Sequence, residues 1–350
     1  MDAVSLIVTV KNEAGSLPRL LDSVLAQTRR PDEVIIADGG STDGTRAVLA
    51  AYAARLPLIV LDCPGANISQ GRNAAIARAR GPIIASTDAG VRLDPRWLAQ
   101  ILAPFDPRPP DAGVRLDQRR LAEVLAPFLS VKPPDVVAGF FLPDPHGAFE
   151  TALAATTLPA LRDIRGDRFL PSSRSIAFTK AAWEKVRGYP EWLDYCEDLI
   201  FDLDLRAAGL RFKFAPEARV YFRPRASLRQ FIRQYYLYAR GDGKANLWLK
   251  RHLARYFTYL VALPLLALLF FNIPWLALLI GLTGCFIMFY TPYRRLLMLW
   301  GALGMGARLA ALCWTPVIRL AGDIAKMVGY PVGVKWRMER VARNRQNAIR

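Results

Sequence analysis

The sequence has few of the side chains that build metal centres and disulfide scaffolds. Its 350 residues include two histidines and four cysteines, and no pair of cysteines has the C-x-x-C spacing. Isolated cysteines of this kind indicate reduced core thiols rather than disulfides or zinc ligands. His146 and His252 have no partner in the sequence, so we assign neither to a site.

Two signals are missing from the N-terminal segment. "MDAVSLIVTV" carries no basic region before its apolar run, so we expect no secretory signal. No G-x-G-x-x-G motif follows this first predicted strand, which disfavours a dinucleotide-dependent oxidoreductase.

Acidic residues are scarce near the C-terminus. The chain has a formal net charge of +17, and after residue 250 only Asp323 and Glu339 oppose the lysines and arginines. A basic region of this kind is typical of nucleic-acid binding or of contact with anionic lipid. No charged residue occurs from Tyr256 to Tyr293. This apolar stretch favours a membrane over nucleic acid as the partner.

The uncharged stretch predicts a membrane hairpin. "NIP" at 272–274 divides it into two apolar halves, each close to the lower limit of about 17–25 residues for one span. Basic residues flank both outer ends, so the positive-inside tendency places the N-terminal domain on the cytoplasmic face of the cell membrane. Two buried or interfacial helices are the alternative. We expect 296–320 to form an amphipathic helix along the interface, with a third span as its alternative.

The first hundred residues alternate between strand and helix signals. Apolar runs such as "DEVIIAD", "PLIVLD" and "PIIASTD" are separated by helical segments, a pattern typical of a parallel sheet covered on both faces. "PDVVAGFF" and "SIAFT" add later strands. Ligands of such sheets bind beyond the carboxyl ends of the strands, where the polar residues 11–13, 38–43 and Asp88 fall.

Four motifs follow one another at these strand ends. They are "TVKNEA", "VIIADGGSTDGT", "GRNAAIARARG" on a helix, and a strand that ends in Asp88. The second of them alone also suits an ordinary helix start in any α/β protein. Together they resemble the family 2 glycosyltransferases of the GT-A fold, which use a nucleotide-sugar donor and invert the anomeric centre. The resemblance covers residues 3–245.

The expected fold class is therefore α/β. A GT-A domain, Rossmann-like with a mostly parallel sheet, would occupy residues 1–245. Residues 246–350 would form a membrane-associated region with the helical hairpin, the amphipathic helix and a basic cytoplasmic tail.

The resemblance also implies a donor site for a nucleotide-diphosphate sugar. The residues it assigns to the donor are Thr9, Glu13, Asp38, Ser41, Arg72, Asn73 and Asp88. Asp88 opens the motif usually written D-x-D and is the expected metal ligand, but the chain reads Asp88-Ala89-Gly90. Gly90 replaces the carboxylate that would bind Mg²⁺ or Mn²⁺. Because Mg²⁺ can be held by few protein ligands together with phosphates, we still expect a divalent metal, with a weakened dependence on it.

Two carboxylates open a later predicted helix, "YCEDLIFDLDLRAAG". Acidic residues at a helix N-terminus are favourable in any protein. By resemblance, Glu197 and Asp198 match the family's catalytic E-D pair, with Asp198 as the general base that takes the proton of the acceptor hydroxyl.

A basic-aromatic segment, "SLRQFIRQYYLYARGDG", follows that helix. In the family such a segment often covers the donor diphosphate or the acceptor, which would assign Arg233, Gln234 and Tyr235 to this role. A basic helix at the membrane surface is the alternative. "FLPSSRSIAF" resembles the acceptor-side loop and makes Arg174 a further candidate.

One stretch of the sequence occurs twice in near-identical form. "DAGVRLDPRWLAQILAPF" begins at Asp88, and "DAGVRLDQRRLAEVLAPF" begins at Asp111. Only the first copy follows a strand, because the second follows Pro109 and Pro110, which cannot continue a central strand. We expect 106–128 to be an inserted surface helix and Asp111 to stay outside the site.

These features predict an inverting transferase that moves a sugar to a lipid-linked or other membrane acceptor. The acceptor would be a lipid or a glycan. The alternative is a catalytically degenerate relative that binds nucleotide-sugar or serves as a membrane scaffold, as the missing carboxylate at Gly90 would allow.

Overall fold

A computed structural model of the chain describes residues 2–106 and 132–349. The chain forms two compact units. The first comprises Met1–Leu142, Ile164–Trp192 and Glu197–Phe222, and the second comprises Pro143–Asp163, Leu193–Cys196 and Arg223–Arg350. Nearly all of the predicted insertion at 106–128, with Asp111, lies outside the described residues.

The first unit contains an eight-stranded sheet and six α-helices among the described residues. The strands are β1 Val4–Val10, β2 Glu33–Asp38, β3 Leu58–Asp62, β4 Ile83–Asp88, β5 Val91–Leu93, β6 Val136–Pro143, β7 Ile176–Thr179 and β8 Phe212–Phe222. The helices are α1 Leu17–Leu25, α2 Thr45–Tyr52, α3 Ile68–Arg78, α4 Trp97–Leu102, α6 Lys180–Lys185 and α7 Glu197–Ala207.

The strand order is β3-β2-β1-β4-β7-β6-β8-β5. Strands β1 to β4 pair in parallel, as the apolar runs predicted. The pairs β4–β7, β6–β7 and β5–β8 are antiparallel. The prediction of an α/β domain with a Rossmann-like parallel half is confirmed.

The central strand β1 is buried on both faces, which explains why its sequence is a nearly continuous apolar run. Leu6 and Val8 pack with Leu20 of α1 in one core cluster. Ile7 points to the opposite face and packs with Ile76 of α3 in a second cluster. Each such side chain contributes about 1.5–3 kcal/mol on burial.

The sequence did not predict strands β5 and β8. β5 has only three residues, and most residues of β8 are half-buried or exposed. The alternation that identifies a strand is weak in both. These two strands pair with each other at the far end of the sheet.

The second unit is helical. Its helices are α5 Gly147–Thr157, α8 Leu228–Lys244, α9 Leu249–Phe257, α10 Leu263–Asn272, α11 Pro274–Leu299 and α12 Met305–Ile349. Helix α12 packs along α8 and α5. Gly329 and Gly333 of α12 face backbone carbonyls of Tyr236 and Arg240 of α8 so closely that a Cβ would collide. The two helix backbones approach one another through these glycines.

Two segments are long and apolar enough to cross a membrane. They are Leu249–Asn272 and Pro274–Leu299, with 0% and 6% of their apolar windows buried. Two exposed apolar helices in succession are consistent with the predicted hairpin. The segment 296–320 does not form one amphipathic helix, because α11 continues to Leu299 and α12 begins at Met305.

Candidate active site

The carboxyl ends of three neighbouring strands bring the first predicted donor residues together. In the sheet register Thr9 of β1 lies opposite Asp88 of β4, and Val10 lies opposite Asp38 of β2. The two aspartates therefore flank the end of β1, where ligands of open α/β sheets bind.

Asp38 is a buried carboxylate held by two neighbours. It is 1% exposed, accepts hydrogen bonds from the Ser41 backbone N–H at 2.8 Å and hydroxyl at 2.6 Å, and accepts one from Arg46 Nε at 3.0 Å. Burial works against its charge, but these bonds lower the pKa of Asp38. Ser41 and Arg46 thus keep Asp38 ionised and fixed.

The loops after β1 and β2 are bonded to each other. The Asn12 backbone N–H donates to Ser41 Oγ at 2.9 Å, and Asn12 has a left-handed φ of 57°. The Glu13 backbone N–H donates to Thr45 Oγ1 at 2.8 Å, while its carboxylate accepts a hydrogen bond from Ser16. These bonds hold Glu13 and Ser41 on adjoining loops at the sheet edge.

Helix α3 begins at a full capping box and passes close to β1. Asn67 accepts from the Gln70 backbone N–H and donates its own N–H to the Gln70 side chain. Gly71 lies beside Thr9, where a Cβ would be 3.0 Å from Thr9 Cγ2. The glycine lets the helix reach the strand end, which positions Arg72.

Arg72 connects two distant parts of the site. It is 3% exposed, and its Nη2 donates to Asp88 Oδ1 at 3.0 Å while Nη1 donates to Glu197 Oε1 at 2.8 Å. Burial disfavours the cation, but Asp88 and Glu197 raise the pKa of Arg72. Removing one partner of such a buried pair typically costs about 3–5 kcal/mol. Arg72 therefore holds the end of β4 against the start of α7.

Asn73 is engaged within the protein. Its Oδ1 accepts from the Tyr189 backbone N–H at 2.8 Å and from Trp183 Nε1 at 3.0 Å. Its Nδ2 donates to the Tyr189 carbonyl and to Glu191. Asn73 secures the segment that precedes α7, and its direct contact with the donor stays a prediction.

The E-D pair opens α7 as predicted. Glu197 is buried and faces Arg72, whereas Asp198 is half-buried. Burial and the neighbouring Asp198 raise the pKa of Glu197 to about 7, against the attraction of Arg72. The pair is divided into an inward carboxylate that is fixed and a more accessible one.

Asp202 is a carboxylate that the sequence analysis did not select. It lies one turn after Asp198 on α7, is 1% exposed, and its Oδ2 has no hydrogen-bond partner among the described residues. Burial and Asp198 raise the pKa of Asp202 well above its ordinary value. Its i+4 spacing from Asp198 was the signal available in the sequence.

Arg174 joins the site from the loop before β7. Its Nε lies 3.4 Å from Asp88 Oδ2, and its guanidinium carbon is 4.8 Å from the centre of the Phe222 ring and 6.0 Å from that of Phe141. Its carbonyl accepts from Thr87 Oγ1 at 2.9 Å. The structure therefore brings Arg174 and Arg72 to the same carboxylate.

The protein side chains do not by themselves fit a divalent metal. Among the described residues, no group of three or more His, Cys, Asp or Glu side chains is arranged to hold one. Both oxygens of Asp88 face arginines. A Cβ at Gly90 would have no atom within 4 Å, so the position is open but lacks a ligand.

The three remaining candidates lie on α8 in the second unit. Arg233 is exposed, Gln234 donates to Tyr238 Oη at 2.7 Å, and Tyr235 packs on Phe231 with Lys326 Nζ 4.6 Å from its ring centre. Their contact with donor or acceptor stays a prediction.

Two family models match successive parts of the chain. The family model described as "Glycosyl transferase family 2" matches residues 5–142, and that of "Glycosyl transferase family group 2" matches residues 144–314. The chain belongs to glycosyltransferase family 2. The family resemblance predicted from the motifs is thereby confirmed.

Curated relatives of this family 2 glycosyltransferase are similar over limited segments. Validoxylamine A glucosyltransferase of Streptomyces hygroscopicus subsp. limoneus is 32% identical over 104 residues, which are 29% of this chain and 23% of the relative. The chain thus matches about a quarter of that protein's length. Succinoglycan biosynthesis protein ExoA of Rhizobium meliloti (strain 1021) is 26% identical over 248 residues, 68% of each chain.

A solved structure supports the fold of this family 2 chain. The mannosyltransferase PcManGT from Pyrobaculum calidifontis, in complex with GDP-Man and Mn²⁺, has a TM-score of 0.60 at 20% identity and covers 94% of this chain and 87% of its own. The predicted GT-A fold is confirmed.

Proposed function

We propose that this family 2 chain transfers a sugar from a nucleotide-diphosphate donor to an acceptor hydroxyl. The observation that carries the proposal is the Arg72 link, which joins Asp88 at the end of β4 to Glu197 at the start of α7. Because of this link, the E-D pair belongs to the same sheet edge as Asp38 and Asp88. That is the edge where the donor would bind.

In this proposal Asp198 is the general base. It takes the proton of the acceptor hydroxyl as that oxygen attacks the anomeric carbon, and the bond from this carbon to the donor diphosphate breaks. Attack from the face opposite the leaving group inverts the anomeric centre. A positioned base typically contributes about 10²–10⁴-fold to the rate.

The geometry of the E-D pair supports this division of roles. Glu197 is buried against Arg72 and is a positioning residue. Asp198 is half-buried and follows it at the start of α7. An acceptor hydroxyl can approach the second carboxylate, while the first fixes the orientation of the helix.

We propose further that the donor nucleoside contacts Thr9, Glu13, Asp38 and Ser41, since these residues lie at the ends of β1 and β2 and on the loops that follow them. The buried and ionised Asp38 is suited to accept hydrogen bonds from a base or ribose edge. Arg46, which the sequence analysis did not select, supports it.

The acceptor is proposed to be a lipid-linked or other membrane-associated molecule. The support is the pair of exposed apolar helices in Leu249–Asn272 and Pro274–Leu299, with basic residues at both outer ends. By the positive-inside tendency, the catalytic unit would face the cytoplasm.

Substitution of the base tests the proposed reaction. Asp198→Asn keeps the shape of the side chain and removes its basicity, so transfer of labelled sugar from nucleotide donors to host membranes should fall by about 10²-fold or more. Binding of the nucleoside diphosphate should persist. Glu184→Gln, a change at a carboxylate on α6 in the same unit, serves as the matched control. Normal transfer by Asp198→Asn would remove Asp198 from the mechanism.

A further inference from the structure

The D-x-D position lacks one of the two carboxylates that would bind a metal. Gly90 stands where the second carboxylate is expected, and its surroundings are open. A leaving diphosphate gains negative charge as its bond to the sugar breaks, and that charge needs a positive partner. If no carboxylate holds a cation there, another group must supply the charge.

Asp88 is already neutralised by arginines. Its Oδ1 accepts from Arg72 at 3.0 Å and its Oδ2 lies 3.4 Å from Arg174 Nε. A carboxylate between two guanidinium groups is a poor ligand for a further cation, since both oxygens face positive charge. Asp88 is thus better suited to hold an arginine than a metal.

The two arginines differ in what they can reach. Arg72 is 3% exposed and is shared by Asp88 and Glu197, so it is an internal connection. The Arg174 side chain is 25% exposed. Of the two, Arg174 is the one that a bound molecule can touch.

Arg174 is also held in place before any ligand arrives. Its guanidinium group lies over the rings of Phe222 and Phe141, and its Nη1 is 3.2 Å from Ser172 Oγ. The Thr87 hydroxyl fixes its carbonyl beside the end of β4. Stacking and ion pairing of this kind reduce the ordering that an arginine must undergo to bind phosphate.

We propose that Arg174, rather than a divalent metal ion, supplies the positive charge that stabilises the leaving diphosphate. The proposal rests on the proposed function. In the transfer step the electron pair of the broken carbon–oxygen bond goes to the diphosphate oxygen, and Asp198 takes the acceptor proton. Arg174 gains and loses no proton, and it donates hydrogen bonds to the diphosphate as its charge grows.

Calorimetric titration of the full chain in detergent tests this. The probes are UDP, GDP, ADP, dTDP and their nucleosides, each with Mn²⁺ and with a chelator. Affinity of wild type for the preferred diphosphate should change by less than about threefold between the two conditions. Arg174→Ala should weaken diphosphate binding by about 10-fold or more while nucleoside binding is unchanged. Arg168→Ala, in the same loop region, is the control and should bind like wild type.

A second variant keeps the test decisive if Arg174→Ala fails to fold. Gly90→Asp restores the missing carboxylate in open space and should make diphosphate binding increase with Mn²⁺. Wild-type binding that disappears with chelator and returns with Mn²⁺ would overturn the role of Arg174. So would unchanged diphosphate affinity in a folded Arg174→Ala. If no diphosphate or nucleoside binds in either condition, the proposed function itself fails, which is a different result.

Discussion

At the scale of single residues, the site depends on how carboxylates and arginines are paired. One buried cation, Arg72, serves Asp88 and Glu197 together. Its charge is divided between two acids, so it does not fully offset the cost of burying Glu197 beside Asp198. This is the physical reason why the pKa of Glu197 is raised while Arg72 stays charged.

The raised pKa of Glu197 predicts a pH dependence of stability. The pKa is about 7 in the folded chain and 4.5 for an ordinary glutamate, so between these values the folded chain keeps a proton that the unfolded chain releases. Stability should therefore fall as pH rises from about 4.5 to about 7, by about 1–3 kcal/mol.

Thermal melts of wild type and Glu197→Gln across this pH range measure the effect. Glu197→Gln should lose the fall in stability between about pH 4.5 and about pH 7 that the Glu197 carboxyl causes, whereas Glu184→Gln should keep it. If wild type and Glu197→Gln show parallel pH profiles, Glu197 does not titrate in this window.

Some features of these residues could be predicted from the sequence and others could not. Asp38 and Asp88 could be predicted because each closes an apolar run. The bond between Arg72 and Glu197 could not, because the two residues are separated by 125 positions and meet only when the sheet forms. The orphan oxygen of Asp202 is likewise visible only after folding.

At the scale of elements, the parallel half of the sheet was predictable and its far end was not. Strands β1, β2 and β4 are buried runs with a polar residue at or directly after their last position. The alternation in β8 is weak because most of its residues are only half-buried. The close approach at Gly139 in β6 could not be predicted either. A Cβ there would meet the Ala218 carbonyl at 2.6 Å. An isolated glycine in a strand signals such close approach but does not name the partner.

The helices α10 and α11 are predicted to insert in the membrane. Their apolar residues are exposed in succession, so they should insert in lipid rather than rest on it. Membranes that contain the full chain should keep it after washing with high salt and with alkaline carbonate, and detergent should release it. Release by salt alone would mean that only the basic residues hold the chain to anionic lipid.

At the scale of the whole molecule, one sheet edge carries the residues of the proposed reaction. The first unit presents Asp38, Asp88, Arg174 and Asp198, and the family assignment covers both units. The fold could be predicted from its apolar runs and motif order. The choice of base, sugar and acceptor could not, since it depends on the shape of the donor and acceptor pockets rather than on the motifs.

Binding of nucleoside diphosphates to the full chain is the decisive test of a donor site at this sheet edge. A ligand that binds only the folded chain raises its melting temperature by mass action. We predict that at least one of UDP, GDP, ADP and dTDP raises the melting temperature of wild type and of Asp167→Asn, a control change at an exposed carboxylate. Asp88→Asn and Asp38→Asn should lose this rise. A wild type that none of the four stabilises, or site variants that respond like wild type, would contradict a donor site at this sheet edge.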